Sequence, residues 1–190
     1  MGVIEVKTKK FLCVGVIVTA VILFVIHVIP YSIAEDFSNM EAVQKQVNNR
    51  MPHGANVVLH EGVSTGKYGA IMMSVLEGDD EKLGLAILEK GLTGKFRVRG
   101  TTYGGGNYHW RVFQETEGDY CVLYGRNEYS DVNRIDITYG HSVYQFYPPR
   151  QPYFIMKMYF GEMQEDAWID PSEVRFYNLQ GNDITDAVIR

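Results

Sequence analysis

Beyond residue 56 the apolar residues recur with period two, in short runs separated by turns that carry glycine, asparagine, aspartate or proline. Period two puts alternate side chains on opposite faces of an extended strand. This pattern restricts the chain more than any other feature, because a strand's apolar face must be buried against a second layer. Val57–Glu61 and Lys67–Glu77 read as strands around "GVSTG". The "EGDDEK" turn follows, and then "LGLAILEKG". Asp79 as a cap and Gly91 as a stop would suit a helix there, but Gly84 weakens one. Leu83, Leu85 and Ile87 alternate with Gly84 and Ala86, so residues 82–90 are assigned to a strand.

"DYCVLYG", Asp119 to Gly125, is nearly all apolar and is expected as a central strand. "NRIDITY" and "SVYQFY" meet across Gly140-His141. Pairing Tyr139 with Ser142 aligns Ile137 with Tyr144 and Ile135 with Phe146. "PPRQP" then interrupts the sheet, "YFIMKMYF" and "EVRFYNL" supply the last strands, and "QGND" makes a final turn.

"RVRGTTYGGGNYHWRVF", residues 97–113, holds three consecutive glycines. A phosphate-binding loop would need a helix after the glycines, and "NYHWRVF" has strand character. The expectation is a hairpin centred on Gly105, with Arg99 facing Arg111, Arg97 facing Phe113 and Lys95 facing Glu115. Phe96, Val98, Trp110 and Val112 then share the other face.

The amino-terminal part is different. Phe11 to Ile29 is a 19-residue apolar run without formal charge when His27 is neutral. As a helix it would span about 28 Å, close to a hydrocarbon core. Lys7, Lys9 and Lys10 precede it and Glu35 and Asp36 follow, which by the positive-inside rule places the amino terminus in the cytoplasm. The rival reading is a signal peptide cleaved after Ala34. "SNMEAVQKQVNN" has Ser38 and Glu41 in capping-box spacing, then Met40, Val43 and Val47 at helical spacing, so a short helix is expected over residues 39–49. The expected organisation is a cytoplasmic tail (1–10), a transmembrane helix (11–29), a juxtamembrane helix and linker (30–52) and an extracytoplasmic domain (53–190). The expected class is α+β, mainly antiparallel β and rich in hairpins. Cys13 and Cys121 lie too far apart in this scheme to form a disulfide.

The run from Val57 through "GAIMMSVLEGDDEKLGLAILEKGLTGKFRVRGTTYGGG" resembles the exported part of small single-pass proteins of Gram-positive bacteria, in which a short anchor precedes a β-rich domain. The resemblance implies a cell-surface location and carries over no site residues.

Chemistry is sparse. Among His53, His60, His109 and His141 no pair has metal-ligand spacing, and His60-Glu61 lacks a zincin's second histidine. "GVSTG" has the G-x-S-x-G form around Ser64, but a strand follows it where a nucleophile elbow needs a helix. "GVSTGKY" also fails as a phosphate-binding loop, being one residue short and carrying Tyr68 in place of Ser or Thr. Cys121, expected inside a central strand, is expected to be inert. No cofactor or metal is implied.

Two groups remain as ligand-binding candidates. Lys95, Arg97, Arg99 and Arg111 share one hairpin face and could attract phosphate groups of lipids or wall polymers. Of 13 tyrosines, 11 lie between Tyr103 and Tyr177, and Tyr103, Tyr108, Tyr144 and Tyr147 sit near loops where they could hold sugars or protein partners. Against a polyanion stands the charge of residues 31–190, with 15 basic and 22 acidic side chains. The expectation is a membrane-anchored, non-enzymatic binding module of the bacterial envelope. Its partners would be the membrane, another envelope protein or an anionic polymer, and not nucleic acid. The alternative is an envelope hydrolase assembled around His109 or His141.

Overall fold

The computed structural model of the chain describes residues 15–24, 30–128, 131–161, 164 and 167–189. The first helix, α1, covers residues 15–24. No helix among the described residues is long and apolar enough to cross a membrane. The expected transmembrane helix at 11–29 is corrected on this ground, together with the single-pass, cell-membrane placement built on it. The rest of that stretch, with Cys13 and His27, lies outside the described residues, as does the tail at 1–10. Val16, Ile17, Val18, Val21, Ile22, Leu23 and Phe24 of α1 are all exposed.

The second helix, α2 (Met40–Asn48), occupies the expected stretch. Its cap is Asn39, one residue later than expected: Asn39 Oδ1 accepts from the Ala42 amide at 3.2 Å. Ser38 instead bonds back to Asp36 through its amide and hydroxyl. Ten strands follow among the described residues: β1 (Asn56–Ser64), β2 (Tyr68–Glu77), β3 (Asp80–Lys90), β4 (Phe96–Gly104), β5 (Tyr108–Glu115), β6 (Gly118–Gly125), β7 (Val132–Tyr139), β8 (Ser142–Phe146), β9 (Phe154–Tyr159) and β10 (Val174–Asn178). A short α3 (Thr185–Val188) closes the described chain. Residues 82–90 are therefore strand.

Three antiparallel sheets result, with strand orders β1-β2-β3-β4, β5-β6-β9 and β10-β7-β8. They stack as layers because each central strand sends alternate side chains into different cores. Ile71, Met73 and Val75 of β2 pack with Val43 and Val47 of α2. Their neighbours Ala70 and Met72 pack with Val122 and Tyr124 of β6 and Ile155 of β9. Cys121 and Leu123 of β6 point the other way, against Ile135, Ile137, Val174 and Phe176 of the third sheet. The near-continuous apolar runs in β2 and β6 are the signature of strands covered on both faces.

The β7–β8 hairpin has the expected register, Tyr139 with Ser142, Ile137 with Tyr144 and Ile135 with Phe146. The hairpin around the three glycines does not form. β4 pairs with β3 and β5 pairs with β6, each through a nearer turn. Phe96 and Val98 face α2, whereas Trp110 and Val112 pack in the core between the second and third sheets. The expected shared apolar face is thus divided between two cores, and Gly104-Gly105-Gly106 carries the chain from the first sheet to the second. Gly106 has a φ of 101°, whereas a Cβ on Gly105 would meet nothing.

Two bulges interrupt the first sheet. In β1 the pairing jumps from Leu59–Met73 to Gly62–Ile71, so His60 and Glu61 together oppose one residue. In β4 it jumps from Val98–Leu88 to Gly100–Ile87, leaving Arg99 as the extra residue. Bulges re-aim side chains, and both of these lie where polar groups gather.

Candidate functional site

The inner face of β2 and β3 is covered by Phe113, Val122, Tyr124 and Ile155. β4 adds nothing to that core, since its inward positions near the bulge are Arg99, Gly100 and Thr102. With no ladder between β4 and β5, a cleft of about 520 Å³ opens between the two sheets. Arg99 and Gly100 line it from β4, Tyr68 and Ile87 from the rest of the first sheet, and Arg111, Phe113 and Gln114 from β5. A second cleft of about 340 Å³ adjoins it, sharing Arg111, Val112 and Ala167 and adding Thr102, His109, Tyr124 and Trp168.

The four expected cations separate. Arg99 and Arg111 meet at the first cleft, from two different sheets. Neither has an ion-pair partner among the described residues, and the Arg111 guanidinium lies 5.8 Å from the Phe113 ring centre. Arg97 is used elsewhere: it pairs with Glu89 at 3.1 Å across the β3–β4 ladder and stacks over Tyr31 at 4.7 Å. Lys95 is exposed in the turn before β4. Glu115, its expected partner, instead accepts from Thr65 and from the Lys67 and Tyr68 amides, which ties β5 to the β1–β2 turn.

Of the tyrosines, Tyr108 is buried and donates to Asn127 Oδ1 at 2.6 Å. Tyr103 bonds Glu77, which raises its hydroxyl pKa above the ordinary value. Tyr144 donates to the Phe160 carbonyl, and Tyr147 is exposed on Gln145. None of the four lines either cleft. Tyr68, Phe113, Trp110 and Tyr124 line the cleft walls, and the strongly exposed aromatic group at the cleft is Trp168, 72% exposed and absent from the sequence-based candidates. The "EDAWID" stretch gives no periodic signal, so only the fold brings Trp168 to Arg111.

His109 stacks on Tyr124, with ring centres 5.3 Å apart. Burial lowers its pKa, opposed by a hydrogen bond to the Gly106 backbone. No carboxylate lines its cleft among the described residues. His141 is exposed in the β7–β8 turn. Ser64 ends β1 and the chain turns directly into β2, so no elbow exists there.

A second polar cluster, unforeseen in the sequence, joins the first two sheets. At the β1 bulge His60 Nε2 lies 2.7 Å from Ser74 Oγ, and the His60 ring stacks on Tyr153 at 3.9 Å. Tyr153 donates to Glu81 Oε1 at 2.7 Å, and Arg126 pairs with Glu81 Oε2 at 2.6 Å. Burial alone would raise the Glu81 carboxyl, but hydrogen bonds from Ser74 and Tyr153 and the Arg126 charge hold it below its ordinary value. Burial pushes His60 down. The set superficially matches a serine–histidine–carboxylate triad. However, Glu81 bonds the serine and not the imidazole, and Ser74 is only 2% exposed. A triad needs the carboxylate on the far imidazole nitrogen and an accessible hydroxyl. The cluster is an inter-sheet clasp.

No protein family, no curated protein and no solved structure matches this chain.

Proposed function

We propose that this protein is a non-enzymatic binding module that takes an anionic ligand into the cleft between β4 and β5. The observation that carries the reading is the convergence of Arg99 and Arg111 on one cleft without an ion-pair partner among the described residues. Two guanidinium groups offer forked donors matched to carboxylate, sulfate or phosphate oxygens. The net charge of −5 opposes long polyanions, so the attraction is local and favours a short anionic group or the end of a polymer. The hydrolase alternative has less support, since His109 meets no carboxylate in its cleft among the described residues.

Titration calorimetry with inorganic phosphate and sulfate at low salt tests this. Each charge-assisted contact is worth about 1.5–3 kcal/mol, so Arg99→Gln with Arg111→Gln should weaken binding at least about tenfold. The variant should keep the wild-type circular dichroism and melting temperature, because exposed charges contribute little to folding. Equal binding by both proteins would overturn the reading.

A further inference from the structure

Trp168 is the anomaly beside the arginines. A bulky side chain left 72% exposed gains nothing for folding, yet its neighbours are fixed. Ile169 is buried, and its carbonyl accepts from Trp110 Nε1 at 3.2 Å. Asp170 caps the turn Pro171–Glu173, accepting from the Ser172 amide at 2.8 Å, while Glu173 accepts from the Asp170 amide. The backbone that carries the indole is therefore anchored on its carboxyl-terminal side, which lowers the cost of ordering this segment when a ligand arrives.

We infer that the ligand is an acidic saccharide, with one sugar ring stacked on Trp168 and its anionic substituent held by Arg111 and Arg99. This rests on the reading of the two arginines as an anion site. The two clefts share Arg111, Val112 and Ala167, so a group on Trp168 and a group between the arginines belong to one groove. Its Trp168 end, about 340 Å³, is large enough for a sugar ring. A sugar presents a weakly apolar C–H face to an indole and hydroxyls around its rim. The same cleft offers those hydroxyls the Thr102 side chain. An aromatic base, by contrast, is best held with both faces covered. The other large rings in this cleft are already engaged: Tyr124 stacks on His109, and Trp110 packs against the core between the second and third sheets.

The test is titration of the full chain with a hexuronate-containing oligosaccharide, its neutral hexose counterpart, a nucleoside monophosphate and inorganic phosphate. The acidic oligosaccharide should bind tightest. Trp168→Ala should weaken it about tenfold and leave phosphate binding unchanged, while Arg99→Gln with Arg111→Gln should weaken both. If Trp168→Ala leaves oligosaccharide binding unchanged, or the nucleotide binds more tightly, the saccharide inference falls and the anion site stands. If the arginine variant binds phosphate as wild type does, the anion site itself falls.

Discussion

Single residues decide how closely the layers approach. A Cβ on Gly125 would lie 2.2 Å from the Asn107 carbonyl oxygen, which also accepts the Arg126 amide. Gly125→Ala should therefore force the β5–β6 connection apart and cost about 1–3 kcal/mol. Gly105→Ala, in open space, should stay within about 0.5 kcal/mol. Urea midpoints of the two variants measure the contrast, and comparable losses would contradict the placement of β6. The histidines give a pH dependence. Burial lowers the pKa of His60, which faces Glu81, Arg126 and Glu61, and of His109, which bonds the Gly106 backbone. Both therefore titrate below the ordinary 6.5 when folded. On acidification the unfolded chain takes up these protons first, so stability is complete above 6.5 and falls as pH drops toward the folded values. A urea midpoint that falls between about pH 7.5 and 5.5, and falls less in a His60→Asn, His109→Asn variant, is the expected result. A pH-independent midpoint would remove the clasp's coupling to folding.

At the scale of elements, the bulge in β4 is the informative one. Arg99 is the extra residue between the Val98–Leu88 and Gly100–Ile87 pairs. Removing it would restore a regular ladder, and Val98 and Tyr103 would keep the faces they already use. A chain lacking Arg99 should therefore fold with stability within about 1 kcal/mol of wild type, and should lose phosphate affinity as Arg99→Gln does. Unfolding of this variant in a thermal melt would show that the bulge holds the sheet together rather than aiming a side chain. This register is invisible in the sequence, where "RVRGTTYG" reads as an unbroken strand. A bulge follows from which partner the strand meets, and β4 meets β3 rather than β5.

For the molecule as a whole, β6 is the centre of the stack, paired with β5 and β9 and covered by a sheet on each face. Cys121 at its middle is fully buried, and burial pushes its thiol pKa far up. Iodoacetamide should leave Cys121 unlabelled in the native protein and label it only above the urea transition, as read by peptide mass spectrometry. Rapid native labelling would mean that the second sheet opens locally. The clasp of His60, Ser74, Glu81, Arg126 and Tyr153 belongs to this scale too, since it draws on both of the first two sheets.

The sequence by itself determined where strands lie and, for neighbours in the chain such as β7 and β8, how they pair. Alternation of apolar residues assigns each side chain to a face, and a short turn then leaves one register in which both apolar faces coincide. It also marked α2, from the spacing of Met40, Val43 and Val47. The tertiary structure alone decided which core each face enters. Phe96, Val98, Trp110 and Val112 satisfy alternation equally well in a common hairpin or in two cores on either side of the second sheet. Burial energy is proportional to area and indifferent to partner, so the choice rests on the competing pairings of β3 with β4 and β5 with β6. That choice split the four expected cations, left Arg99 and Arg111 facing one cleft, and brought Trp168 beside them from more than fifty residues away along the chain.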